Sequence, residues 1–264
     1  FGRYAKYRRL VQRALACTTA IAAQTEADAA RFQALGAESA RLSVMGNLKF
    51  DIQVTEELLA AGRTLRAKLF GDNAVWVAGS TREGEEPILL EAFRKLLEKE
   101  PKTVLVLAPR HPERANAVAD AVTEAGFTFR RRSNGDTPLR AGEVLLVDLL
   151  GQLMRFYAAG DLAFVGGTLV PVGGHNLLEA AALGLPVLAG PHLSNVEDVA
   201  EMMREAGVLT PVRDADSLAA AAVWLLHDTA TRKSLGEVAR GKVAANRGAL
   251  DRAFALIENR LGRR

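Results

Sequence analysis

The chain has 264 residues, about half of them apolar, enough for one large domain or for one domain and part of a second. Its 34 basic and 31 acidic residues leave a formal charge of only +3, so no concentrated basic face marks a nucleic-acid binder. Cys17 is the sole cysteine and the four histidines contain no His-x-x-x-His pair, which excludes an intrachain disulfide and argues against a metal site.

A reducing cytoplasm fits this composition, and no apolar run approaches the roughly 20 residues that span a bilayer. The sequence starts on Phe1 rather than Met, with a basic amphipathic stretch and no signal-peptide pattern, so the expected gene product begins further upstream. Residues 4–16 have helical spacing, with Tyr7, Leu10, Val11 and Leu15 on one face. Their basic neighbours suit anionic lipid or, more commonly, plain solvent. A strand is predicted over 18–23. A helix capped by Thr25 follows and ends at Gly36. A second short strand covers 41–45, and Gly46-Asn-Leu-Lys-Phe-Asp51 comes next. To this point the chain reads as the last β-α-β unit of a domain.

Residues 55–69 form a polar connector helix. Strands are then predicted over 74–78, 103–108, 127–131 and 143–147, alternating with helices over 85–98, 112–125 and 150–158. The next unit, Leu162 to Pro191, is the one around which the chain is organised. Leu162 to Val165 reads as a strand covered on both faces, and Gly166 and Gly167 as a turn. Gly173 and Gly174 are expected to strip side chains from the start of a helix, whose free N–H groups and partial positive charge suit an anion. A helix over 196–206, a strand over 208–211 and long helices from Ser217 complete the chain. Alternating β-α units of this kind predict an α/β, doubly wound parallel sheet of Rossmann-like build, with ligands at the carboxyl ends of the strands.

Four of those strand ends carry polar groups. Ser80 and Thr81 offer hydroxyls, or helix caps. Arg110, after Pro109, suits a phosphate or carboxylate through its planar fork, or a structural ion pair. His111 is either a donor to a ligand or a cap for the helix starting at Pro112. Leu150, Gly151 and Gln152 allow a base or sugar to approach. Asn176 and Glu179, with Leu177 and Leu178 between them, share a helix face. They form either a capping box or a ligand pair, the carboxylate facing a ribose diol. Neither G-x-G-x-x-G nor G-x-x-x-x-G-K-[ST] occurs.

Taken together, Gly46-Asn-Leu-Lys-Phe-Asp51, Gly79-Ser-Thr…Gly84-Glu-Glu86, Pro109-Arg-His-Pro-Glu-Arg114, Gly151-Gln-Leu153, Asp161 to Leu169, Gly173-Gly-His-Asn-Leu-Leu-Glu179 and Gly190-Pro-His192 with Asn195 resemble the 3-deoxy-D-manno-octulosonic acid (Kdo) transferases of lipopolysaccharide synthesis. The resemblance runs over nearly the whole chain. It implies a two-domain GT-B fold and transfer of Kdo from CMP-Kdo to a lipid A precursor, without metal or other cofactor, at the cytoplasmic face of the bacterial inner membrane. The chain would then hold residues 1–54 as the tail of an amino-terminal acceptor-side domain and 55–70 as connector. Residues 71–230 would be the nucleotide-sugar domain, and 231–264 terminal helices packing back toward the amino-terminal part.

The resemblance places CMP against Pro109, Arg110, Leu150, Gly151, Gln152, Asn176, Leu177, Leu178 and Glu179. Gly173, Gly174, Ser80 and Lys49 are further candidates for the phosphate or the Kdo carboxylate. Arg82 stands where the family usually has His, and Gln152 where it usually has Glu. No residue here is assigned as catalytic base, which the resemblance puts in the missing amino-terminal domain, and the isolated chain is expected to bind donor without transfer. The partners implied are CMP-Kdo, the lipid acceptor and a membrane surface, with no nucleic acid. Two other readings remain: a GT-B enzyme using UDP, and a non-catalytic nucleotide-binding module.

Overall fold

Val75, Trp76, Val77 and Ala78 are fully buried, as a strand in the middle of a parallel sheet must be when helices cover both its faces. The computed structural model describes Tyr4 and residues 6–262. The start of the basic stretch, residues 1–3 and 5, lies outside the described residues. The chain forms two units, Phe1–Ile52 with Val243–Arg264, and Gln53–Lys242.

In the first unit, β1 (Ile21–Ala23) and β2 (Leu42–Val44) pair in parallel. Thr25 caps the intervening helix Glu26–Ala34 through the Asp28 N–H. The Gly46–Asp51 segment receives the last helix of the chain, Ala249–Leu261. Asp51 accepts the N–H groups of Gly248 and Leu250 at 2.6 Å each, an anion on a helix start, and Arg252 Nε donates to the Met45 carbonyl at 2.8 Å. Lys49 lies on a short 3₁₀ turn in this unit, its side chain exposed.

The second unit holds seven strands. They are β3 (Ala74–Thr81), β4 (Thr103–Pro109), β5 (Phe129–Arg131), β6 (Val144–Leu146), β7 (Leu162–Val165), β8 (Val187–Ala189) and β9 (Leu209–Pro211). All pairings are parallel, in the order β5-β6-β4-β3-β7-β8-β9. Helices Glu85–Leu97, Ala115–Glu124 and Ala215–His227 pack on the face bearing Trp76, Leu105, Leu107 and Phe164. Helices Glu56–Leu65 and Leu153–Ala159 pack together on the other side. At the amino edge, Asp161 accepts the Val75 N–H (2.9 Å) and an Arg66 N–H (2.6 Å), tying β7 to β3 before they run side by side.

The chain builds outward from β3 through β4, then crosses back to lay down β7, β8 and β9. The order therefore reverses between β3 and β7, and their carboxyl ends open a crevice. Most expected elements appear within two or three residues, and three differ in kind. The connector helix is α-helical only over Glu56–Leu65 and ends in a π-helical turn, Arg66–Phe70. The helix expected from Pro112 starts with a 3₁₀ turn, Pro112–Arg114. That expected after Gly173–Gly174 begins only at Leu178 and is five residues long.

Candidate functional site

A cavity of about 350 Å³ opens at the carboxyl ends of β3, β4, β6 and β7. This is within the usual range for small-molecule sites. Ser80, Pro109, Arg110, Leu150, Gly151, Asn176 and Glu179 line it together, so four separate β-α junctions meet in one place.

The β3 junction is strained. Register slips between Gly79 and Thr81, and Ser80 has φ 57, the left-handed region that non-glycine residues avoid. The irregularity brings the Thr81 carbonyl to the Arg110 N–H at 3.0 Å, joining the β3 and β4 ends. Gly166 makes this possible, because a Cβ there would collide with the Ser80 and Thr81 backbone. Behind the junction Thr81 donates to Glu86, and Arg114 grips Glu86 with two N–H groups, at 2.8 and 3.2 Å.

Arg110 is exposed, and its guanidinium has no hydrogen-bond or ion-pair partner among the described residues. A fork with no internal partner at a cavity wall is suited to a ligand anion. His111 neither caps the Pro112 turn nor faces the cavity. Its Nε2 meets Arg82 Nη1 at 2.7 Å, and its Nδ1 lies 3.3 Å from Glu113. Arg82, the departure from the usual His, thus orients a neighbouring imidazole.

Asn176 and Glu179 act as a pair. The Asn176 amide donates to Glu179 Oε1 at 3.2 Å, and its oxygen accepts the Leu178 N–H at 3.1 Å. Capping and cavity lining are therefore one arrangement. Burial pushes the Glu179 carboxyl above the ordinary range, opposed by Asn176 and then by Arg110. His175, not nominated from the sequence, lines the same wall. Burial, then Arg110, Arg82 and His111, hold its pKa down, so the ring is neutral at neutral pH. Its Nε2 is buried without a partner. The signal was present in the sequence: His175 sits between the glycine pair and Asn176. Val147, Leu149 and Leu153 supply apolar wall that was also missed.

Several nominated residues stand elsewhere. Leu177 and Leu178 are fully buried core, forced inward by the helix whose other face carries Glu179. Gln152 does not line the cavity, and its Oε1 is buried and unpartnered. Gly173 and Gly174 do not open a helix start. A Cβ on Gly173 would meet the Ser194 and Asn195 side chains, and Gly173 lines a different hollow with Pro191 and His192. The N–H groups of Gly174 and His175 are taken by the carbonyls of Gly167 and Gly166. The pair lets two loops pack, and the anion reading at that point is corrected. Lys49 belongs to the other unit.

A seven-stranded parallel sheet with a polar cavity across its carboxyl edge is a doubly wound α/β domain, the kind from which GT-B-type glycosyltransferases are built. Residues 146–242 match the model described as glycosyl transferases group 1. The fold is shared with HepE of Anabaena, solved with UDP-glucose (TM-score 0.52, 17% identity, 98% of this chain and 68% of that one).

Within that class, residues 1–52 match the model for 3-deoxy-D-manno-octulosonic-acid transferase (kdotransferase). The 3-deoxy-D-manno-octulosonic acid transferase of Haemophilus influenzae is 39% identical over 99% of this chain and 61% of its own length. That of Bordetella pertussis is 38% identical over 96% and 59%. The C-terminal CMP-Kdo binding domain of WaaA from Acinetobacter baumannii superposes with TM-score 0.67 at 28% identity, covering 72% of this chain and 99% of that one. The similarity to Kdo transferases runs over nearly the whole chain, which spans about three-fifths of the length of these curated relatives.

Proposed function

We propose that this chain supplies the donor-binding half of an enzyme that transfers Kdo from CMP-Kdo to a lipid A precursor. The observation that carries the reading is the meeting of Ser80, Arg110, Asn176 and Glu179 around one cavity. Each group has a part in holding a nucleoside monophosphate ester. Arg110 pairs with the phosphate and takes up the charge that grows on it as CMP leaves. Glu179 accepts from the ribose hydroxyls. The apolar Leu149–Leu150 wall and the open backbone at Gly151 receive the base. The neutral His175 adds a donor or acceptor without adding charge. Transfer also needs a base to take the proton from the attacking hydroxyl, and no residue here is given that role.

The acceptor is a lipid, so the enzyme works at a membrane, on this reading the cytoplasmic face of the bacterial inner membrane. The helix Arg8–Ala16 supports this with its basic residues and exposed Leu10, next to exposed Tyr7. Among the described residues no helix is long and apolar enough to cross a bilayer.

The test is release of CMP from CMP-Kdo in the presence of lipid A precursor. A protein extended to the relatives' full length is expected to release CMP and form the Kdo-lipid product. The same protein with Arg110→Ala is expected to be at least tenfold slower. Turnover of UDP-sugars instead of CMP-Kdo would refute the assignment.

A further inference from the structure

One buried carboxylate near the cavity has no place in the site just described. Glu85 opens the helix Glu85–Leu97 and is completely buried. Three successive backbone N–H groups point at it: Gly167 to Oε2 at 2.8 Å, and Thr168 and Leu169 to Oε1 at 3.0 Å each. The Arg82 N–H adds a fourth bond, to Oε2 at 2.8 Å. Consecutive N–H groups converging on one anion form a nest, the device by which many loops grip phosphate. Here the chain fills the nest with its own side chain.

Two consequences follow from these contacts. The three consecutive N–H groups of Gly167, Thr168 and Leu169 are already satisfied by Glu85 and are not offered to an incoming phosphate, whereas Arg110 is. Glu85 also ties two turns together, Ser80–Arg82 after β3 and Gly167–Leu169 after β7. These turns come from the two strands that flank the reversal in sheet order. The second turn in turn fixes the cavity wall, because the carbonyls of Gly166 and Gly167 hold the N–H groups of His175 and Gly174. Thr168 extends the brace, accepting the Gly190 N–H at 2.8 Å and donating to the Val165 carbonyl at 2.7 Å. The Gly190-Pro-His192 motif thereby gains a structural reason.

We propose that Glu85 is the positioning residue of the donor cavity: its carboxylate clamps the Gly167–Leu169 turn to the Ser80–Arg82 turn and so sets where His175 and Asn176 stand. It acts through the loop and touches no ligand. The proposal rests on the nucleotide reading of the cavity. A carboxylate is needed because both oxygens must accept, whereas an amide would turn an NH₂ toward N–H donors. Burial raises the Glu85 pKa, and the four backbone donors oppose that rise.

The experiment compares wild type, Glu85→Gln, Glu85→Asp and Leu96→Ala, using amide hydrogen exchange and calorimetric titration with CMP. Leu96 is a fully buried residue near the far end of the same helix and serves as a control for general destabilisation. In Glu85→Gln, exchange at Gly167–Leu169 is expected to speed up at least tenfold and CMP affinity to fall at least tenfold. Glu85→Asp, which keeps the charge on a shorter arm, should fall between and carries the test if the amide variant does not fold. Leu96→Ala should lower the melting temperature while leaving CMP affinity within twofold. The proposal is overturned if Glu85→Gln binds CMP as wild type does, or if Leu96→Ala weakens binding equally. A wild-type chain that binds no CMP, with the turn still losing protection in Glu85→Gln, would instead sink the nucleotide reading and leave the clamp as a purely structural brace.

Discussion

Asn176 holds Glu179 by its amide at 3.2 Å while its oxygen accepts the Leu178 N–H. One side chain thus begins a helix and aims a half-buried carboxylate into a cavity. The groups acting on that carboxylate are Asn176, Arg110 and, close by, the buried Tyr157 hydroxyl. Burial dominates, so the folded chain raises the Glu179 pKa above its unfolded value. A raised carboxyl contributes stability that is full below the unfolded pKa and lost as pH rises through the folded one. Glu179 therefore contributes more to stability at low pH than at high pH. Glu179→Gln is expected to melt at the same or a higher temperature while losing tenfold or more in CMP affinity, about 1.5–3 kcal/mol for bonds to a charged acceptor. The phosphate of CMP itself takes up a proton at about pH 6 in wild type and variant alike, so acidification should lower CMP affinity in both and more steeply in wild type, where Glu179 also titrates. Titration calorimetry across pH reads both.

Arg110 faces the cavity with no internal partner among the described residues, so its removal should not disturb the fold. Arg110→Ala should change folding stability by no more than about 0.5 kcal/mol, as surface substitutions do. It should weaken CMP binding by roughly 10- to 100-fold, the worth of a charge-assisted contact. Arg110→Lys keeps the charge but not the fork, and should recover only part of the loss. Denaturant unfolding beside calorimetry separates the two effects.

Glu86 behaves in the opposite way. It is buried, gripped by Arg114 and bonded to the Thr81 hydroxyl. Breaking a buried pair leaves an uncompensated charge at a cost of about 3–5 kcal/mol. Because Arg114 is about a quarter exposed, the expected cost of Arg114→Met is nearer ~2–3 kcal/mol. Urea denaturation should show this as a lower midpoint at unchanged slope. A loss under 1 kcal/mol would mean that the pair does not brace the β3 junction.

Gly166 couples stability to the site. A methyl group there meets the backbone of Ser80 and Thr81, which has no rotamer with which to yield. Gly166→Ala is expected to cost about 1–3 kcal/mol of overpacking and, by moving the β3 turn, to weaken CMP binding as well. Retained affinity at lowered stability would show that Ser80 need not stand where it does.

Much of this architecture was legible in the residues. Val104 to Leu107 and Leu162 to Val165 are unbroken apolar runs, and only strands covered on both faces need such runs. Once the units alternate, parallel pairing forces every strand's carboxyl end to one edge, which is why Ser80, Arg110, Gly151 and Glu179 were expected to meet. What could not be read depends on distant partners. Gly173 looks like a helix start until Asn195 is seen against it. Leu177 and Leu178 were nominated by their place between Asn176 and Glu179, yet helical geometry turns both into the core. The role of Glu85 is hidden for the same reason: beside the Arg82 N–H nearby, the three N–H groups it accepts from Gly167, Thr168 and Leu169 lie more than 80 residues away.

The most direct test of the account is calorimetric titration of this chain with CMP and with UDP, each repeated on Arg110→Ala. The account predicts that CMP binds more tightly than UDP and that the substitution removes most of that binding without lowering the melting temperature. Equal or tighter binding of UDP, or CMP binding indifferent to Arg110, would contradict it.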